Sequence, residues 1–214
     1  MYPILFTFGS MEVRSQTVIV TLAILIALYV YRKEAIRVGF IDRDIWTAIA
    51  LGIPLGLFFC YLIGVIANLV DYGGRINFNY VLDFRPVSYG VILGALLSGY
   101  IVTRWRKLPT GKAFDVIALA LPLGYGIGRV GCLLNGCCYG KVTDSIFSIF
   151  LPGRLGVWAP RYPTQIMLVV FNLALFAWLW SLRKTKPFEG SLALAFLLVY
   201  SFGRLVIDGF RESP

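Results

Sequence analysis

The chain has 214 residues, of which 58% are hydrophobic and only 14% are charged, and its mean hydropathy is +0.78. Soluble domains average roughly 25% charged residues, so this composition excludes an ordinary soluble domain and predicts an integral membrane protein. A net charge of +9 would suggest nucleic acid as the partner of a soluble protein. In a membrane protein, however, basic loops report topology, and we expect no nucleic-acid partner.

Six apolar segments are candidate membrane-spanning helices, because a span needs about 20 residues. The first and fourth segments are short, so we expect them to extend by about one turn into their polar flanks. The predicted fold class is therefore all-α, as a single transmembrane helical domain over residues 1–214. In chain order the segments are Thr17–Tyr31, Ile45–Val70, Val87–Thr103, Phe114–Gly128, Thr164–Leu182 and Ser191–Ile207.

The loops after the first, third and fifth spans are basic and predict the orientation. The positive-inside rule places such loops in the cytoplasm, so we expect both termini and the connection between the fourth and fifth spans on the outer side. The residues concerned are Arg32, Lys33, Arg37, Arg43, Arg104, Arg106, Lys107, Lys112, Arg183, Lys184 and Lys186.

The segment Gly128–Gly140, GRVGCLLNGCCYG, follows the fourth span and holds three of the four cysteines of the chain. Arg129 at the end of an apolar segment is costly unless an anionic or dipolar group meets it, so it is a candidate site residue. The glycines of the segment allow a close approach of the backbone.

Cys132, Cys137 and Cys138 leave two interpretations open. We expect no metal, because the spacing contains no CxxC and the chain has no histidine. A disulfide from Cys132 to Cys137 or Cys138 would suit an oxidising compartment. Alternatively, the three thiols fill a tight turn as small polarizable residues.

The sixth span carries a polar stripe formed by Tyr200, Arg204, Asp208 and Arg211, whose spacing of four, four and three puts them on one helix face. The plainest interpretation is an Arg204–Asp208 ion pair. The functional interpretation is a guanidinium pair that binds phosphate, because planar guanidinium matches phosphate with two parallel hydrogen bonds. At that depth the phosphate would belong to a phospholipid headgroup.

Four ordered motifs together resemble the prolipoprotein diacylglyceryl transferase family. GRVGCLLNGCCYG is similar to its signature, in which Gly-Arg-x-Gly is followed by an Asn-Gly pair and a closing glycine. SYGVILG at Ser88–Gly94 resembles its glycine-rich motif, although the same small residues also suit close helix packing. RYPTQ at Arg161–Gln165 resembles the arm before the next helix, and the Tyr200–Arg211 stripe resembles the last motif.

The resemblance implies transfer of a diacylglyceryl group from phosphatidylglycerol to the lipobox cysteine thiol of a prolipoprotein, with release of glycerol phosphate. The reaction would take place at the outer leaflet of the bacterial cytoplasmic membrane. Its partners would be phosphatidylglycerol, the prolipoprotein signal peptide and membrane lipid, with no cofactor. Catalytic roles would fall to Tyr89, Arg129 and Arg204. Substrate-binding roles would fall to Gly90, Gly94, Asn135, Gly140, Tyr200, Asp208 and Arg211.

The sequence also departs from the family pattern. Tyr89 stands where many members carry histidine, and Cys132 and Cys137 stand where the family often has asparagine and glutamate. Two alternatives to an active transferase therefore remain: a non-catalytic relative that binds phospholipid or joins a larger membrane assembly, and a membrane thiol oxidoreductase that uses the three cysteines.

Overall fold

The structure, a computed structural model, describes residues 4–8, 11–71, 88–153 and 157–212. Six α-helices dominate this part of the chain, in agreement with the predicted all-α class. They are α1 (Ser15–Arg37), α2 (Asp42–Asp71), α3 (Ser88–Arg106), α4 (Thr110–Asn135), α5 (Thr164–Leu182) and α6 (Ser191–Gly209).

Each helix corresponds to one predicted span. Within the described residues, five helical segments are long and apolar enough to cross a membrane: α1, residues Asp42–Ala67 of α2, α4, α5 and α6. The helix α3 is not among these five and carries Arg104 and Arg106 in its last turn. The first and fourth helices extend into polar residues, as expected. One boundary was wrong: α4 continues to Asn135, so most of the segment predicted to follow the helix is helical.

Two short antiparallel ribbons accompany the helices, and neither was predicted from the sequence. The first joins β1 (Ile4–Phe8) to β2 (Met11–Arg14), directly before α1. The second joins β3 (Ile149–Pro152) to β4 (Trp158–Arg161), directly before α5.

The described chain divides into two compact units, one comprising Met1–Tyr31 with Ala118–Pro214 and the other Arg32–Ile117. The expectation of a single domain over 1–214 stays a prediction.

In the second unit, α2 and α3 pack through glycines. A Cβ atom on Gly90 would overlap the backbone of Cys60, and one on Gly94 would overlap the backbone of Gly56. These two glycines therefore have a packing role, as small residues do where membrane helices meet.

In the first unit, α6 has one polar and buried face and one apolar and exposed face. Phe196, Tyr200 and Arg204 are buried. On the opposite face, Leu198 and Leu205 are more than 70% exposed, as expected for side chains that contact lipid. The helix therefore directs its arginine into the protein and away from the bilayer.

Gly94→Ala should destabilise the second unit, because the new Cβ has no room against the α2 backbone. Overpacking of this kind costs about 1–3 kcal/mol, which should lower the thermal unfolding midpoint in detergent. Gly56→Ala is the matched control in the same interface, since a Cβ there would lie 3.7 Å from the Cα of Val91, an ordinary contact. Equal midpoints for the two variants would contradict the packing role of Gly94.

Candidate active site

The helix α4 ends in a Schellman motif that sets the geometry of the site. The backbone N–H of Gly136 donates to Leu133 O at 3.3 Å, and that of Cys137 donates to Cys132 O at 3.1 Å. Gly136 has a φ of 72°, the left-handed conformation that this motif requires and that glycine adopts without strain. The chain reverses direction after Gly136, and this reversal brings Cys137 back against Cys132 in the last part of α4.

Three thiols meet at this reversal. The Sγ atoms of Cys132, Cys137 and Cys138 lie within 4.8 Å of one another, and all three residues are half-buried. Cys138 itself has a φ of 63°, which is uncommon for a residue other than glycine and costs backbone strain. All four cysteines are free thiols in the structure, and Cys60 is buried in α2.

The first turn of α5 holds the backbone of the cysteine pair. Thr164 Oγ1 donates to Cys138 O at 2.8 Å, and Gln165 Nε2 donates to Cys137 O at 2.7 Å. Both donors are almost completely inaccessible to solvent. Breaking either bond would leave a buried side-chain donor without this partner, at a cost of about 1–3 kcal/mol, so the conformation of the turn is strongly specified.

Arg161, at the end of β4, fixes the chain beyond the cysteines. Its buried guanidinium donates to Gly140 O at 3.4 Å, pairs with Glu212 and lies 4.8 Å above the Tyr139 ring. A Cβ on Gly140 would meet Tyr162 at 2.6 Å, so only glycine fits this approach of two backbones. The sequence indicates Arg161 only as part of a motif, because its partners Gly140 and Glu212 lie far along the chain.

The helices α4 and α6 contact each other through stacked tyrosines, and two arginines follow. The rings of Tyr125 and Tyr200 are stacked with centroids 5.8 Å apart. Arg129 and Arg204 each come four residues later, one turn further along helices that run in the same direction. The guanidinium of Arg129 interacts with the thiols of Cys132 and Cys138 and with Tyr200.

Arg211 reaches the thiol cluster from beyond the end of α6. Its Nη2 donates to the Sγ of Cys138 at 3.5 Å. The backbone supports this position, since Gly140 and Arg211 form an antiparallel bridge and Lys141 N–H donates to Phe210 O at 2.9 Å. The three thiols thus have cationic groups from both helices beside them.

Arg204 is in an ion pair and still has unused hydrogen-bonding capacity. Its Nε lies 3.0 Å from Asp208 Oδ2, so the plain interpretation of the stripe is confirmed. Its side chain is only 8% exposed, and Nη1 is buried without a hydrogen-bond partner among the residues that the structure describes. A buried donor without a partner is costly, and an anionic ligand would satisfy it.

The environment of the cluster favours one thiolate. Hydrogen bonds from the Cys132 and Cys137 thiols, together with the charges of Arg211 and Arg129, hold the pKa of the Cys138 thiol well below its usual range. The pKa of the Cys137 thiol is raised by its hydrogen bonds with Cys132 and Cys138 and by burial. Of the two thiols beyond the helix, Cys138 is therefore the one whose thiolate form the surroundings favour.

The described contacts leave the roles of several predicted site residues untested. Gly90 and Gly94 pack against α2 in the other unit, and the side chain of Tyr89 lies outside the described part of the chain. Asn135 ends α4 and is half-buried. The catalytic role of Tyr89 and the substrate-binding roles of these residues stay predictions.

Comparison with known proteins matches the family model described as prolipoprotein diacylglyceryl transferase over residues 3–214. The chain belongs to the prolipoprotein diacylglyceryl transferase family. It is 33% identical to the phosphatidylglycerol–prolipoprotein diacylglyceryl transferase of Dehalococcoides mccartyi (strain ATCC BAA-2266 / KCTC 15142 / 195), over 98% of this chain and 82% of that protein. It is 28% identical to the enzyme with the same name from Clostridium tetani (strain Massachusetts / E88), over 100% of this chain and 87% of the relative.

Three of the four family motifs meet in one unit. The signature forms the end of α4 and its turn, the arm forms the end of β4 with the first turn of α5, and the last motif is the polar face of α6. The resemblance seen in short sequence segments thus corresponds to a single packed constellation around the three thiols.

Arg211→Gln should raise the pKa of the Cys138 thiol, because one of the charges that lowers it is removed. Alkylation of Cys138 by iodoacetamide in reduced, chelator-treated protein should then slow several-fold at roughly pH 6, where an ordinary thiol is protonated. Peptide mass spectrometry gives the rate for each cysteine. Lys141→Gln removes one positive charge whose Nζ binds Gly209 O instead, and it should leave the rate unchanged. A similar rate in all three proteins would contradict the assignment.

Proposed function

We propose that this chain transfers a diacylglyceryl group from phosphatidylglycerol to the lipobox cysteine thiol of prolipoproteins and releases glycerol phosphate. Its family membership and the names of relatives that it covers over most of their length support this reaction. The observation that carries the proposal is the buried Arg204, whose Nη1 has no partner in the described structure and lies on the inward face of an apolar helix.

Arg129 and Arg204 are the proposed phosphate-binding groups. As the carbon–oxygen bond of the lipid breaks, negative charge grows on the departing glycerol phosphate, and preorganised donors in a dry site stabilise that charge. The Arg204–Asp208 pair uses the Nε edge of the guanidinium and leaves Nη1 for a phosphate oxygen. Asp208 thus orients the arginine. Tyr200 lies one turn before Arg204 on α6 and interacts with Arg129.

The incoming thiol must lose its proton, and its usual pKa of about 8.5 makes this costly at neutral pH. The chain contains no histidine that could take the proton. The positive field of the arginines would lower the pKa of the bound thiol, and we assign Tyr89 as a polariser or proton relay. Asn135 would orient an ester or phosphate oxygen. Gly90, Gly94 and Gly140 would contribute indirectly, through the close backbone contacts that set the local path of the chain.

The predicted orientation places this chemistry at the outer leaflet. In the same unit, the basic loop with Arg183, Lys184 and Lys186 joins the ends of α5 and α6 that lie opposite the thiol cluster. The positive-inside rule predicts that such a loop is cytoplasmic. Phosphatidylglycerol and the signal peptide are both membrane-embedded, so lateral access from the bilayer would serve both substrates.

The reaction itself is tested with purified protein, phosphatidylglycerol vesicles and a lipobox peptide. We expect a thioether-linked diacylglyceryl peptide and an equal amount of glycerol phosphate, both measured by mass spectrometry. A peptide with serine in place of the lipobox cysteine is the control. Lipid binding without either product would favour the non-catalytic relative.

Arg204→Lys keeps the charge but loses the planar pair of donors, so it should lower the rate by on the order of 100-fold. Arg183→Lys is the matched control, because Arg183 lies over the Trp180 ring at the other end of the helices, and its rate should be unchanged. Folding of both variants is checked by thermal unfolding. Full activity of Arg204→Lys, or of Arg129→Ala, would contradict the assigned phosphate site.

A further inference from the structure

The three thiols lie close enough together to be ligands of one metal ion. Zinc–sulfur bonds are about 2.3 Å long, so sulfur ligands around one zinc ion lie about 3.8 Å apart. The three Sγ atoms already lie within 4.8 Å of one another. Side-chain rotations that move them closer by about 1 Å would therefore complete a three-thiolate site, and soft thiolate ligands select zinc among the common divalent ions.

The charges around the cluster suit a metal–thiolate complex. Zinc with three thiolates carries one negative charge, and a fourth thiolate brings the total to two. Arg211 lies 3.5 Å from the Cys138 sulfur, and Arg129 faces Cys132 and Cys138. Two guanidinium groups thus compensate the complex, and the hydrogen bond from Arg211 orients one ligand as outer-shell partners of metal sites do.

The ligands are held before any ion binds. Cys132 is fixed on α4, and the Schellman motif places Cys137 above it. Gln165 and Thr164 clamp the carbonyls of the cysteine pair. A site held in this way loses little conformational entropy when it binds its ligand.

We propose that Cys132, Cys137 and Cys138 bind one zinc ion and leave its fourth position for the thiol of the substrate. Catalytic zinc sites have this composition, with three protein ligands and one position for water or substrate. The inference rests on the proposed function, because it assigns the group that activates the thiol in a chain without histidine.

The reaction balances without a redox partner. The substrate thiol displaces water from zinc and gives its proton to that departing water, which carries it to solvent, since a coordinating thiol is deprotonated outright. Its sulfur attacks the diacylglyceryl carbon that carries the phosphodiester oxygen, so a carbon–sulfur bond forms and the carbon–oxygen bond breaks. The electron pair of the broken bond stays on the phosphate oxygen of glycerol phosphate, which the arginines hold. The neutral thioether is a weak ligand and leaves zinc.

Binding is tested with the full chain in detergent, using Zn²⁺ against a chromophoric chelator and Cd²⁺ by its thiolate charge-transfer absorbance. One ion per chain is expected in the wild type and in Cys60→Ala, the control that removes a thiol outside the cluster. Cys132→Ser and Cys138→Ser should bind at least about 100-fold more weakly. Circular dichroism shows whether these variants are folded. Folded Cys138→Ser with wild-type zinc affinity, or a wild type that binds no zinc, would overturn the inference.

The open position is tested with the cadmium-loaded protein and a lipobox peptide. Absorbance per cadmium should rise by about a third as three thiolates become four, and a peptide with serine at that position should cause no change. The absence of any rise with the cysteine peptide would overturn the assignment of the fourth position.

Activity separates this inference from the proposed function. Removal of zinc by a chelator should abolish transfer, and Zn²⁺ should restore it. Full transfer by protein shown to be free of metal would overturn the zinc site and leave the transferase intact. Zinc binding with the predicted cysteine dependence, in a protein that makes no thioether product, would contradict the transferase and leave the metal site in place.

Discussion

An α-helix ends with carbonyl groups that have no partner inside the helix, and the rest of the site depends on how α4 meets this constraint. Its last turn is closed by the backbone N–H groups of Gly136 and Cys137. This closure requires a left-handed residue directly after the helix, and it turns the chain sharply back. The residues just before and after this closure form the rest of the site. They include the three thiols, and Gly140, which contacts Tyr162 and forms a bridge with Arg211.

Placing arginines in an apolar protein is costly unless each one has a partner. Here the partners differ. Arg161 is used structurally by Glu212, Gly140 and the Tyr139 ring. Arg211 meets a thiol, and Arg204 meets Asp208 with only part of its guanidinium. Arg161 and Arg204 each keep one buried nitrogen without a hydrogen-bond partner in the described part of the chain, Nε and Nη1 respectively, but only Arg204 lies on the polar face of a membrane helix.

The helices were predictable because the thickness of the bilayer sets the length of apolar segments. The polar face of α6 was predictable from the helical period.

The end of α4 was not predicted, because Arg129 and the glycines interrupt the apolar pattern although the helix continues through them. The Asn135–Gly136 pair is a helix-ending signal that could have located it. The disulfide and tight-turn interpretations both place the thiols close together, but the sequence did not show that all three meet. Their meeting depends on the Schellman motif, which brings Cys137 back to Cys132 although five residues separate them. The ribbons β1–β2 and β3–β4 are too short for a periodic signal.

Arg204 and Arg211 are both carried by α6, the second just beyond its end, so they move together. The two residues are seven positions apart on and just beyond α6, and a helix transmits axial displacement with little change in length. A shift of α6 along its axis therefore moves the unpartnered Nη1 of Arg204 and the Arg211 donor to the Cys138 sulfur together. If Arg204 binds the lipid phosphate as proposed, lipid occupancy and thiol reactivity would be coupled through the rigidity of one helix.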